Sequence, residues 1–251
     1  MTKQHVVAIV QARMGSSRLP GKVLKPLGNK PLIILLLERL KQCKQIDEIV
    51  LATSTNPEND ELCHVVSHHG FNTFRGDEDD VLGRFYQCAV TFNATDIVRI
   101  TGDSPLLSPK ICDTLINEYF HTQADYAYLS EHFAEGVDCE VLSFQALSVA
   151  HVNAKLASQR EHVTLYVYQN ECDFTITELA NSQDDSHYRF TVDNEEDYQV
   201  VGQIIEHCDD LSLNYQEIKR FLDANPIIKK MNQHIVRNEG LITSLQNDQR
   251  I

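Results

Sequence analysis

His5-Val6-Val7-Ala8-Ile9-Val10, running straight into Gln11-Ala12-Arg13-Met14-Gly15-Ser16-Ser17-Arg18-Leu19-Pro20-Gly21-Lys22, is the stretch on which the fold turns. Its first half is a short, β-branched apolar run with no polar alternation, the pattern of a strand buried on both faces of a parallel sheet. Its second half is a loop of small residues carrying Arg13, Arg18 and Lys22. Small residues let backbone N–H groups approach an anion closely, and a strand that ends in such a loop aims them at it. The spacing is neither that of a Walker loop, because Val23 follows Gly21-Lys22, nor that of the dinucleotide fingerprint, because no G-x-G-x-x-G is present.

Outward from that stretch, strands and helices alternate. Pro31 stands where the first turn of a helix tolerates proline, and that helix is expected to reach about Cys43. Strands follow at 47–53, 71–74 and 96–101, with helices at 57–69, ended by Gly70, and 79–92; Pro109 opens another. This alternation predicts an α/β fold with a doubly wound, mostly parallel sheet. Ligands of such sheets bind outside the carboxyl ends of the strands. The loop at Gln11 and the turn Gly102-Asp103-Ser104-Pro105 would therefore face one crevice. Beyond Asp125 the pattern is mixed: strands at 126–129, 139–142, 173–179 and 188–192, and a helix over about 151–169. Residues 126–190 thus read as a continuation of the sheet plus a small β-rich lid or dimerisation arm. The tail from Asn214 reads as one or two helices with a frayed end at 246–251. No repeat, low-complexity tract or linker divides residues 1–251, so a single domain is expected.

The charge is uneven. Net charge is -14, which argues against nucleic acid as a partner, since polyanion binders need a basic face. Residues 1–30 nevertheless hold six basic residues, Lys3 among them, and no acidic one, leaving 16 basic residues against all 36 acidic ones elsewhere. A cationic loop on an acidic body suits a small, multiply charged anion, and Arg13, Arg18 and Lys22 can neutralise a triphosphate. No run approaches the roughly 20 apolar residues that span a bilayer, and the N-terminus reads as neither a signal nor a transit peptide. The seven cysteines, Cys208 included, are scattered with no C-x-x-C pair, which fits a reducing cytoplasm better than a disulfide framework or a cysteine-rich zinc site. His64 and His68 share a helical face with Cys63 and His69 nearby, but no third ligand lies at a telling distance, so they read as surface histidines at a helix end.

With Lys25-Pro26-Leu27 and Lys30-Pro31-Leu32 added, the loop resembles the signature loop of the acylneuraminate and Kdo cytidylyltransferases, most closely the SpsF-like branch of spore-coat polysaccharide biosynthesis. The likeness continues, in order, through the segments 46–53, 74–84 (Phe74-Arg75-Gly76-Asp77-Glu78-Asp79-Asp80), 98–106 (Val98-Arg99-Ile100-Thr101-Gly102-Asp103), 136–141, 160–164 (Arg160-Glu161-His162) and 189–193, covering roughly residues 5 to 200. It implies a nucleotide-diphospho-sugar transferase fold (GT-A-like, Rossmann-type). The implied reaction is transfer of CMP from CTP to an acidic sugar or similar small acceptor with release of pyrophosphate, in surface polysaccharide or glycan biosynthesis.

The resemblance also assigns roles. Asp103 and Asp193 would hold Mg²⁺, which favours one or two carboxylates plus phosphate and water; either aspartate alone also reads as a turn or helix cap. Arg13, Lys22 and Asp103 would be catalytic. Gln11, Ala12, Gly15, Ser16 and Arg18 would join them on the nucleotide, with Arg75, Arg84 and Thr101 shaping its pocket. Asp138, Glu140, Arg160, Glu161 and His162 would bind the acceptor. Arg160 could take an acceptor carboxylate bidentately, and His162 could act as a base or make one ordinary hydrogen bond. The Kdo-type enzymes carry a base-reading Gln two positions before the metal aspartate; here Thr101 stands there, so a cytosine preference follows from the resemblance alone. A homodimer is the expected assembly. Two rivals share the sequence features: a glycosyltransferase using a nucleotide sugar, and a non-catalytic nucleotide-binding subunit.

Overall fold

Strand β1, Val6–Gln11, lies inside a seven-stranded sheet, and its alternating side chains feed two separate cores. Val6, Ala8 and Val10 point to one face, Val7 and Ile9 to the other, as the two-residue period of a strand requires. In this computed structural model, which describes residues 4–207 and 213–250, the chain then forms a short ribbon, β2 (Pro26–Leu27) against β3 (Lys30–Pro31), followed by α1 (Leu32–Leu40). Lys3, Cys208 and Ile251 lie outside the described residues.

The parallel half of the sheet is completed by β4 (Glu48–Ser54), α2 (Asp60–His68), β5 (Asn72–Gly76), α3 (Val81–Thr91) and β6 (Asp96–Thr101). Helix α3 starts where Asp80 Oδ1 accepts from the N–H of Gly83 at 2.9 Å. His64, His68 and His69 are exposed on or just after α2. Helix α4 (Pro109–Thr122) is capped by Ser108 and leads to β7 (Tyr126–Leu129). Then come β8 (Glu140–Ser143), α5 (Phe144–Asn153), α6 (Ala157–Glu161), α7 (Leu165–Gln169) and β9 (Ile176–Leu179). The sheet order is β5-β4-β1-β6-β8-β7-β9, with β8 antiparallel to both of its neighbours. Helices α1, α2 and α4 pack on the face of Val6, and α3, α5 and α7 on the face of Val7, giving the doubly wound arrangement. The order reverses at β1, with β4 on one side and β6 on the other, so the loops after β1 and β6 open a crevice between them.

The strands at 126–129, 140–143 and 176–179 continue the central sheet, as one part of the reading of residues 126–190 expected, and a separate small ribbon is β2–β3. Other sequence expectations change. The helix expected over 151–169 is three. Ser143 Oγ caps α5 earlier, accepting from Ala146 N at 3.0 Å, and α5 ends in the extended Ala154. Gln159 Oε1 then accepts from Lys155 N and Leu156 N at 2.9 and 3.2 Å, restarting the chain as α6. Residues 188–192 form no strand but a single bridge, Glu135 to Arg189, because their N–H groups go to separate partners: Phe190 N to Glu135 O at 2.6 Å and Val192 N to Asp103 O at 2.8 Å. The aromatic and β-branched content of that stretch serves packing, with Phe190 and Val192 in the core.

A helix not expected from the sequence, α8 (Glu195–His207), follows, and the tail holds three helices: α9 (Tyr215–Ala224), α10 (Pro226–Lys230) and α11 (Glu239–Gln246). A capping box starts α9, Asn214 Oδ1 accepting from Glu217 N and Glu217 Oε2 from Asn214 N. The end is tied down as far as it is described. Ala157 N donates to Gln249 O at 2.8 Å, and Ser158 N to Asp248 Oδ1 at 3.0 Å.

Candidate active site

The crevice is built on a close approach of two backbones. Gly102 N donates to Gln11 O at 2.8 Å, and a side chain at Gly102 would stand 2.6 Å from the Ala12 Cβ and 2.9 Å from Gln11 O. Glycine is therefore required for the turn carrying Asp103 to lie against the cationic loop. That loop is folded on itself: Met14 O accepts from Ser16 N and Gly21 N at 2.9 and 3.0 Å, and Asn59 Oδ1 holds Met14 N at 2.9 Å. Gly15 is exposed, and a side chain there would meet Glu58 Oε1 at 2.8 Å.

The third wall is the segment 189–193, hung on the same turn. Thr191 Oγ1 and Val192 N both donate to Asp103 O, at 3.2 and 2.8 Å. This brings Asp193 beside Asp103, and Lys22 joins them, its Nζ 3.2 Å from Asp103 Oδ2 and 2.8 Å from Asp193 Oδ1. Arg18 Nη2 is 3.1 Å from the same Asp193 oxygen. Burial would lower the Lys22 pKa, but the two carboxylates outweigh it and hold the ammonium above its ordinary value. Burial likewise pushes Asp103 up, yet Lys22 and the Thr101 hydroxyl keep it below the usual carboxylate range. Two carboxylates converge on one ammonium.

Oxygen donors of that kind suit a hard divalent ion. Among the described residues no group of three or more His, Cys, Asp or Glu could hold a metal unaided. A cation here would draw two ligands from Asp103 and Asp193 and the rest from phosphate and water, the usual arrangement for Mg²⁺ on a nucleotide. The residues present fit it.

A cleft of about 700 Å³ runs from this point, with Gln11, Arg18, Thr101, Asp103 and Asp193 at one end and Asp138, Glu140 and His162 at the other. Glu140 is gripped by Arg99, by the Tyr126 hydroxyl and by Thr164 Oγ1 at 2.7 Å. Burial pushes its pKa up, but Arg99 and the hydroxyl donors bring it below the ordinary value. Asp138 pairs with Arg237 Nη2 at 2.9 Å, and burial, the larger influence, raises its pKa. Burial lowers the pKa of His162, whose Nε2 is buried without a hydrogen-bond partner, against the opposing pull of Glu161 Oε2 at 3.7 Å.

A stability prediction follows from Glu140. A carboxylate whose folded pKa is depressed adds stability that is present above its unfolded value, near 4.5, and lost as pH falls through the folded value. Glu140→Gln should cost about 1–3 kcal/mol at neutral pH, as expected for unpairing a partly buried guanidinium. The gap in melting temperature from the parent should close on acidification below pH 4.5, and a pH-independent gap would show that the charge on Glu140 is not what matters.

Other expected site residues lie elsewhere. Arg160 is turned away from the cleft, 3.4 Å from Asp80 Oδ1 and 3.2 Å from His151 Nδ1, because α6 packs against α3. Glu161 also faces outward and accepts from Ser244 Oγ at 2.7 Å. Arg75 donates to Ser54 O and Asn56 O at 3.0 and 2.8 Å, and buried Arg84 donates to Asp77 O. Both brace loops beside the cationic loop, where Arg13 Nη1 meets Glu78 Oε1 at 2.9 Å. Sequence reading missed the C-terminal contribution: Arg237, Asn238 and Glu239 line the cleft, and Glu239 pairs with Arg18. It also missed Asp197, although Asn194 followed three residues later by Asp197 is a capping signal.

An open α/β sheet with a cationic loop after β1 and two carboxylates converging beside it is the framework of a nucleotidyltransferase. The chain belongs to the cytidylyltransferase family, whose model, described as "Cytidylyltransferase", matches residues 7–242. It is 33% identical to the spore coat polysaccharide biosynthesis protein SpsF of Bacillus subtilis over 88% of this chain and 95% of that one. Among solved structures, a cytidylyltransferase from Leptospira borgpetersenii is 33% identical with a TM-score of 0.88, covering 93% of this chain and all of that one. A CMP:2-keto-3-deoxy-manno-octonic acid synthetase complexed with CTP shares the fold at 18% identity, with a TM-score of 0.64 over 81% of this chain and 99% of that one. No helix among the described residues is long and apolar enough to cross a membrane.

Proposed function

We propose that the protein transfers CMP from CTP to a hydroxyl of an acidic sugar or similar small acceptor, releasing pyrophosphate, in the making of a surface polysaccharide or glycan. The observation that carries this reading is the Lys22 ammonium held between Asp103 and Asp193 at the foot of the cationic loop. Arg13, Arg18 and Lys22 meet the triphosphate, the backbone at Gln11, Ala12, Gly15 and Ser16 cradles it, and Thr101 lies on the base side. Asp103 and Asp193 hold Mg²⁺, which when bound supplies charge neutralisation at the phosphates. The chain's own work is positioning: the cations fix the phosphates in line with the acceptor, and the walls exclude water.

At the acceptor end, Asp138, Glu140 and His162 offer hydrogen-bond partners for hydroxyls. Arg237 replaces Arg160 as the guanidinium for an acceptor carboxylate; its Nε is buried without a partner beside the cleft. The SpsF likeness supports the polysaccharide setting, and the CTP-bound structural neighbour supports the donor. The reading extends to one domain acting as a cytoplasmic homodimer through residues 126–190. In support, the six described cysteines are all free thiols, and β9 is an outer strand of the sheet.

Thermal stabilisation by CTP, UTP, ATP and GTP, with and without Mg²⁺, tests the donor. A ligand at about 100 times its Kd adds roughly 2.7 kcal/mol to the folded state. CTP should raise the melting temperature selectively and only with Mg²⁺, and a panel of acidic sugars should then yield one that releases pyrophosphate. A shift with nucleotide sugars and none with triphosphates would replace this reading with a glycosyltransferase.

A further inference from the structure

Asp193 is held at both carboxylate oxygens and at its main-chain N–H. Its Oδ1 faces the cleft, 2.8 Å from Lys22 Nζ and 3.1 Å from Arg18 Nη2. Its Oδ2 points the other way and accepts from Arg189 Nη2 at 3.1 Å. Its backbone N–H donates to Asp197 Oδ2 at 3.0 Å, and that carboxylate also takes Arg189 through Nε at 2.8 Å and Nη2 at 3.0 Å. Asp197 is fully buried, and Arg189 is 7% exposed. Buried Asn232 donates to Asp197 Oδ1 at 2.9 Å and to Arg189 O at 3.3 Å, and Glu135 takes the remaining Arg189 nitrogen. One carboxylate, Asp197, thus fixes Asp193 twice, at the main chain directly and at the side chain through Arg189.

We infer that Arg189 and Asp197 are positioning residues that orient Asp193 so that a single oxygen is presented to the divalent cation. This rests on the reading of Asp103 and Asp193 as the metal ligands. The physical ground is a competition for lone pairs. A free carboxylate can rotate and offer both oxygens. With Oδ2 turned from the cleft and held by Arg189 Nη2, Asp193 would offer Oδ1 to the ion, leaving room for phosphate oxygens. Partners that orient a ligand tune metal affinity by about 10–100-fold in known sites. A role limited to capping α8 would predict a loss of stability and nothing more.

Mn²⁺ serves as the probe, its free concentration read by electron paramagnetic resonance in the presence of CTP, a measurement that needs no acceptor. Asp197→Asn keeps the shape but weakens the hold on Arg189, and Arg189→Lys keeps the charge but removes the fork. Asn232→Ala loosens Asp197 without changing any charge and serves if the others fail to fold by circular dichroism. Each folded variant should need about tenfold or more Mn²⁺ for half-saturation, Asn232→Ala least. Tyr119→Phe is the control: it removes the 2.7 Å bond to Asp96 at the far end of β6 and should lower the melting temperature with no change in Mn²⁺ uptake. Folded Asp197→Asn and Arg189→Lys proteins with half-saturation within twofold of the parent would overturn the inference. A parent protein that takes up no Mn²⁺ with CTP would instead overturn the metal assignment itself, and the inference with it.

Discussion

Asp103→Asn should reduce turnover on the order of 10³-fold, the scale at which one element of preorganised electrostatic stabilisation is lost, while far-UV circular dichroism stays unchanged. The asparagine is isosteric and fits the Gly102-Asp103-Ser104 turn, and the main-chain carbonyl of residue 103 still accepts from Val192 N and Thr191 Oγ1. What disappears is a negative charge that the protein maintains against burial. Lys22 keeps one carboxylate, Asp193, so it is not left as an unpaired buried cation, and the melting temperature should move by only a few degrees. Because Asp103 is assigned to hold the cation that neutralises the reacting phosphates, kcat should carry most of the effect and KM little. Pyrophosphate release with the acceptor that serves the parent enzyme is the assay, and near-normal turnover would remove Asp103 from the mechanism.

The parts of this site that were legible in the sequence are the parts encoded locally. A β-branched run ending in small and basic residues specifies β1 and its loop without reference to anything distant, and the same holds for β4 and β6. The convergence of Asp103 and Asp193 is different. They are far apart in sequence, and Asp193 follows a segment that is not a strand at all, so no periodicity could place it; only the family resemblance did. Arg160 shows the opposite failure. It stands in the right motif, but the break at 154–156, set by the Gln159 side chain, turns α6 so that Arg160 meets Asp80 instead of the cleft. Arg237 was illegible for a related reason. Its place beside Asp138 depends on the chain returning to that loop after helices α5 to α10, a tertiary fact with no local signal.

Gly136→Ala should be among the most damaging substitutions outside the catalytic groups, costing about 3–5 kcal/mol from left-handed strain and overpacking together. Gly136 has φ +98°, which side-chain-bearing residues rarely adopt. An added Cβ would stand 2.5 Å from the Phe190 carbonyl carbon and 2.9 Å from the Thr191 Cα, and nearer still to the Thr191 nitrogen. These are backbone atoms, so no rotamer change relieves the clash; the 189–193 segment must move. That segment cannot move freely, because Phe190 N is bonded to Glu135 O and Val192 N to Asp103 O. The strain therefore reaches Asp193, and activity should fall more than the loss of folded protein accounts for. For a chain of this size the melting temperature should drop by roughly 6–20 °C. Gly202→Ala, in α8 with open space around its would-be Cβ, is the contrasting case and should be neutral or stabilising by about 0.5–1 kcal/mol. A Gly136→Ala protein as stable and active as the parent would mean that residues 189–193 are free to shift, and with them the fixed geometry of Asp193.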